Sequence, residues 1–163
     1  MFFESNLART SGTNWEEAFS GTDGTVYALH SVESGSNQGL YVGGAFDEID
    51  ARSGMDGLAR YDGVAVADMD GGVEGSVYAI QRWAGGIAVG GLYQSVGDSG
   101  MAAFNIATWD ESNGWSAMDS GVFGSVIDAP HGASVLALCS HGNGTSDGVY
   151  AGGNFMAMKL PPA

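Results

Sequence analysis

Tyr41-Val42-Gly43-Gly44-Ala45-Phe46 sets the architecture, because the same pattern returns as Ala88-Val89-Gly90-Gly91-Leu92-Tyr93 and as Tyr150-Ala151-Gly152-Gly153-Asn154-Phe155. Each copy places two glycines inside a run of β-formers. No Lys-Ser/Thr pair follows, so the glycines read as close packing inside a strand, not as a phosphate loop. Upstream of each lies a second apolar run, Val26-Tyr27-Ala28-Leu29, Val77-Tyr78-Ala79-Ile80 and Val135-Leu136-Ala137-Leu138. A third element recurs as Asn6-Leu7-Ala8-Arg9-Thr10, Gly57-Leu58-Ala59-Arg60-Tyr61 and Asn105-Ile106-Ala107-Thr108-Trp109, followed by Trp15, Val66 and Trp115. Glycines then stand at 21 and 24, 72 and 75, 121 and 124.

Strands are expected at Thr25 to His30, Gly39 to Phe46, Gly57 to Tyr61 and Val64 to Met69 in the first unit. The second unit repeats them at Ser76 to Gln81, Gly86 to Tyr93, Ala103 to Trp109 and Trp115 to Met118. Asp62-Gly63 is a hairpin-turn dipeptide, and three prolines with no Leu/Ala/Glu/Lys stretch leave little support for helices. The expectation is a single all-β domain over residues 1–163, with units at about 20–69, 70–118 and 119–163 plus 1–19. The third unit carries an insertion from Ser125 to Ala133, a place for local variation on a repeating scaffold.

A period of about 50 residues with several short strands per unit is the pattern of a propeller array, whose units cannot bury their apolar faces alone. The order Val-Tyr-Ala-Leu, Leu-Tyr-Val-Gly-Gly-x-Phe, Ile-Ala-Arg-Trp-Asp-Gly, Trp resembles the Kelch-like repeats of bacterial surface and secreted proteins. Val66 in place of Trp and Thr108 in place of Arg depart from it. The resemblance implies a β-propeller of four-stranded antiparallel blades, about three per chain. One blade would be completed by the N-terminal strands, and two chains would form a six-bladed ring. A homodimer, or the remaining blades of a larger propeller, are the implied partners. The implied function is a non-catalytic structural or interaction module that binds a protein through blade loops or the channel mouth. A carbohydrate- or cation-binding propeller, less readily an enzyme, is the alternative. Extracellular or cell-surface location follows from the resemblance alone, since Met1-Phe2-Phe3-Glu4 lacks the basic start and apolar core of a secretory signal.

The 19 acidic and 5 basic side chains give a net charge of −14, which repels phosphate backbones and anionic lipid. Nucleic acid and membrane insertion are therefore not expected. Its plainest role is solubility. Cys139 is the only cysteine, so no internal disulfide forms. Cys139 and His141 supply two ligand types, short of the three or four of a zinc site, and His30, His131 and His141 come with no matching nucleophile. No cofactor is implied. Asp68, Asp70 and Glu74 form an acidic run that is a candidate for calcium, although it lacks EF-hand spacing and reads first as a repeat turn. Arg82 and Trp83 interrupt the repeat between strands and, with His131, are the candidates for a ligand or partner contact. Asn143-Gly144-Thr145 fits the glycosylation sequon, with Asn143 as acceptor.

Overall fold

A computed structural model describes residues 5–119, 121–122, 132–142 and 148–155. The described residues form fifteen strands. In chain order these are β1 (Ala8–Thr10), β2 (Trp15–Glu17), β3 (Thr25–Val32), β4 (Gly39–Ala45), β5 (Glu48–Ile49), β6 (Arg52–Ser53), β7 (Leu58–Tyr61), β8 (Val66–Asp68), β9 (Val73–Trp83) and β10 (Gly86–Val96). They continue with β11 (Met101–Ala102), β12 (Ile106–Asp110), β13 (Gly114–Ala117), β14 (Ser134–His141) and β15 (Gly148–Asn154). All pairings between them are antiparallel.

The strands divide into five separate sheets, none of them closed. One is the meander β3-β4-β7-β8. A second runs β9-β10-β12-β13, with β11 on the far part of long β10. The hairpins β1-β2, β5-β6 and β14-β15 are two-stranded. The meanders follow from short polar turns. Asp62 Oδ1 accepts the Val64 and Ala65 amides at 2.8 and 2.9 Å between β7 and β8. Asp110 Oδ1 accepts those of Ser112 and Asn113 at 2.9 and 3.0 Å between β12 and β13. The Ala65 amide is the main influence holding the Asp62 carboxyl below the usual carboxylate range; at Asp110 it is the Asn113 side chain.

A second device recurs three times. The Gly21, Gly72 and Gly121 amides donate back to the Ala18, Met69 and Met118 carbonyls at 2.9, 3.2 and 3.0 Å. Phe19, Asp70 and Asp119 enter these turns at φ near +55°, with values of 56°, 52° and 54°, the left-handed region that such turns require. A side chain at Gly72 has no room, since its β-carbon would lie 2.5 Å from the Asp56 carbonyl oxygen.

The first meander has both faces covered. Tyr41 and Leu58 join Val77, Ile80, Val89 and Tyr93 of the second meander in one core cluster. On its other face Val42, Ala59 and Val66 pack with Leu7 and Ala18 from the β1-β2 hairpin and with Phe46, Ile49 and Met55. Strands buried on both faces read as continuous apolar runs instead of alternating ones, which is the pattern of β4 and of the first half of β10.

The expectation of a closed Kelch-like propeller is overturned. Strand ladders stay within each meander or hairpin, and the main-chain bonds that cross between them, such as the Val73 amide to the Asp56 carbonyl at 2.8 Å, are single links, so no ladder returns on itself. Blades arranged about a channel, a blade completed by the chain's own N-terminal strands and a six-bladed two-chain ring are not what this topology forms; among the described residues β1 pairs with β2 alone. Without closure there is no channel mouth. The protein-binding module built on one, and the carbohydrate or cation site at its centre, lose their structural basis. The repeated sequence specifies a strand meander and a sheet-to-sheet contact, and neither property demands a ring. Among the described residues no helix is long and apolar enough to cross a membrane.

Candidate interaction surfaces

Successive sheets are joined by one contact used twice. At each Gly-Gly pair the preceding strand is bulged, the register slipping at Val26/Ala28, at Gly90/Gly91 opposite Ala79/Val77, and at Val135/Ala137. The first glycine of the pair then lies under the next sheet. A β-carbon at position 43 would sit 2.5 Å from Cγ1 of Val77 and 3.0 Å from Cδ1 of Ile80. At position 90 it would sit 2.5 Å from Cγ1 of Val135 and 3.2 Å from Cδ1 of Leu138. Only glycine lets the backbones approach this closely. Each joint also carries a polar link: the Arg82 amide donates to His30 Nε2 at 3.1 Å, and Gln81 Nε2 donates to Ser140 Oγ at 2.9 Å. Tyr27 and Tyr78, the bulged residues, meet edge to face with ring centres 5.1 Å apart.

The two ends of this series carry the repeat counterparts of the joint residues in less covered surroundings. Gly152 is the third first-glycine, and among the described residues a β-carbon there would meet nothing nearer than Ala137 Cβ at 3.9 Å. Tyr150, two residues earlier on the same face, is 54% exposed, whereas its counterpart Tyr41 is 0% exposed. At the opposite end Val26 and Leu29 occupy the places of Val77 and Ile80. Leu29 is 54% exposed against 8% for Ile80, and Val26 is half-buried against the first meander's outer cluster. Leu29, Leu40, Leu7, Phe19 and Tyr61 line an apolar hollow of about 420 Å³ between β1-β2 and the first meander.

The residues singled out from sequence are distributed over other surfaces. Arg82 and Trp83 border a shallow hollow of about 310 Å³ together with Ser140 and His141, so the second joint brings them beside the end of β14. Arg82 is exposed and Trp83 half-buried. His131 and Asn143 lie outside the described residues. Asp68 and Asp70 line one hollow with Arg60, Trp109 and Glu111, while Glu74 lines another with Asp47, Asp56 and Asp98. Asp70 accepts the Trp109 indole N–H at 3.0 Å, and Glu74 accepts the Ser95 hydroxyl at 2.5 Å. Among the described residues no group of three or more His, Cys, Asp or Glu side chains is placed to hold a metal ion. Cys139 is exposed, and the His141 ring lies 6.2 Å from that of Tyr150.

Val26, Leu29 and Gly152, at the two ends of the series, had not stood out as site residues. Their signal was present in the repeat alignment, since each occupies a position whose counterparts are buried or bonded inside the chain. No protein-family model, curated protein or solved structure matches the chain, so these surfaces rest on their own geometry.

Proposed function

We propose that the protein is a self-associating building unit whose copies stack head to tail, the β14-β15 hairpin of one copy seating its Gly152 face on Val26 and Leu29 of the next. This is assembly and not catalysis, and the recognition element is a sheet face. The observation that carries it is the internal repetition of the joint: Val77 over Gly43 and Val135 over Gly90, with Gly152 open at one end and half-buried Val26 beside exposed Leu29 at the other. A head-to-tail contact uses different patches on the two partners, unlike a two-fold dimer. Exposed apolar faces of this kind mark association sites, and the charge of −14 keeps such a unit dispersed until the specific contact forms.

Light scattering over a dilution series of wild type and of Gly152→Val tests this. Wild type is expected to gain mass with concentration, and Gly152→Val to remain a folded single chain. A wild-type mass of one chain at every concentration, or an unchanged series in the variant, would sink the reading.

A further inference from the structure

In both meanders the strand bearing the glycine pair is flanked on its other side by the strand that follows the 57 or 105 position. Thus β4 lies between β3 and β7, and β10 between β9 and β12. By contrast, among the described residues β15 pairs only with β14, and β1, the repeat counterpart of β7 and β12, only with β2. We propose that β15 of one copy adds to the free edge of β1 of the next as an antiparallel strand, placing Tyr150 opposite Arg9 and Gly152 opposite Leu7. This rests on the head-to-tail reading and names the backbone ladder that would fix its register.

Two independent observations point to that register. The first is a matched substitution between units. In the first meander Tyr41 stands opposite Arg60, whose guanidinium lies 6.0 Å from the Tyr41 ring centre. In the second, Ala88 stands opposite Thr108. The aromatic and the arginine are thus present together or absent together. Tyr150 and Arg9 occupy those same two positions, both exposed, and Arg9 has only a 3.4 Å pair with Glu16 on its own hairpin. They are the two members of a pair whose strands are not joined within the chain.

The second is the residue that pins each ladder. Asn105 donates its amide to the Tyr93 carbonyl and accepts the Gly91 amide on its own carbonyl, both at 3.0 Å. Its Oδ1 accepts the Tyr93 amide at 3.1 Å and its Nδ2 donates to the Val122 carbonyl at 2.8 Å. Gly57 makes the same backbone exchange with Phe46 and Gly44 at 2.8 and 2.9 Å. Asn6 shares the left-handed backbone of these residues, at φ 48° against 65° for Asn105 and 72° for Gly57. Its Nδ2 already donates to the Thr22 carbonyl at 3.0 Å, as Asn105 does to Val122. The remaining half of its bonding pattern fits Phe155 and Gly153 of another copy, the counterparts of Tyr93 and Gly91. Added strands of this kind gain affinity from the main chain and register from alternate side chains.

The test mixes two chains, both carrying Cys139→Ser, one with Arg9→Cys and the other with Tyr150→Cys. Residues directly opposite in an antiparallel pair have Cα separations of about 4.5–5.5 Å, within the range a disulfide spans. Oxidation is expected to give a cross-linked pair of chains, and a control mixture of Arg9→Cys with Gly148→Cys, two residues out of register, to give none. Equal cross-linking in both mixtures, or none in either while light scattering still shows association, overturns the strand addition and leaves face stacking standing. A wild-type protein that never exceeds the mass of one chain overturns both.

Discussion

β4 and β15 share a sequence pattern and differ in everything that surrounds it. Tyr41, Val42 and Gly43 are buried between sheets on both sides, whereas Tyr150 and Gly152 are exposed and Ala151 is half-buried. The local rule that makes a Gly-Gly strand, a bulge opposite it and a hairpin before it holds in both places. What differs is the next layer: a valine and a branched aliphatic from a following strand cover Gly43 and Gly90, and no described residue covers Gly152. Burial is therefore set by neighbours, and one pattern serves as core in the middle of the stack and as surface at its end.

The sharpest way to break the comparison is to add the same methyl group at each glycine. Gly43→Ala and Gly90→Ala force a β-carbon to within 2.5 Å of a valine methyl, and overpacking of this kind costs about 1–3 kcal/mol. For a chain of this size that lowers the melting temperature by roughly 2–4 °C per kcal/mol. Gly152→Ala is expected to leave the dilute chain within about 0.5 kcal/mol of wild type, since nothing described crowds it. Thermal melts of the three variants decide it; equal losses at 43, 90 and 152 would mean that Gly152 is covered after all.

Asn105 and Asn6 give the next largest contrast. Asn105→Ala removes two side-chain bonds in a buried setting, at about 1 kcal/mol each and more for the stranded Tyr93 amide. Asn6→Ala in dilute protein removes the one bond to Thr22, an expected cost of about 1 kcal/mol or less. Denaturant melts at low concentration measure the difference. At concentrations where copies associate, Asn6→Ala gains a second effect on mass that Asn105→Ala, judged at equal folded fraction, does not.

How much of this was legible in the sequence differs by level. The hairpin order and both meanders follow from turn dipeptides and periodic β-formers, which act locally; the strand found at Leu58–Tyr61 sits within its expected run, and Ile106–Asp110 overruns the end of its own by one residue. Closure did not follow, because it depends on how many sheets stack and at what angle, which no single repeat encodes. The small β5-β6 hairpin and the pairing of Ser95-Val96 with Ala102-Met101 fall between the runs expected as strands. The repeat alignment marked the end positions whose counterparts are buried, but which of them stay open requires coordinates. The acidic run shows the opposite failure: Asp68, Asp70 and Glu74 are close in sequence, yet beyond the turn at Met69–Gly72 Glu74 lines a different hollow from the one that Asp68 and Asp70 share.

The smallest expected effect distinguishes the first joint by pH. Burial, and secondarily the Arg82 guanidinium, hold the His30 imidazole below its ordinary 6.5. Above 6.5 the ring is neutral in folded and unfolded chains alike and its contribution is constant. As the pH falls below 6.5 the unfolded chain takes up the proton first, so stability declines until the lowered folded value is passed and then levels. Protonation also removes the acceptor that the Arg82 amide uses. His30→Gln, which copies the residue at position 81, is expected to flatten this part of a melting-temperature profile; an unchanged slope would show that His30 does not couple the joint to pH.

In the proposed stack Val26 and Gly152 are two halves of one joint, and a disulfide between copies probes that joint itself. At the internal joints a β-carbon on the glycine lies 3.1 Å from Val77 Cβ and 3.0 Å from Val135 Cβ, close enough that a small outward shift reaches disulfide geometry. Chains carrying Val26→Cys and chains carrying Gly152→Cys, both with Cys139→Ser, are mixed and oxidised. A covalent pair is expected in the mixture, and far less in either variant alone. A mixture that yields no more linked product than the separate variants, at concentrations where the wild-type chain associates, would contradict it.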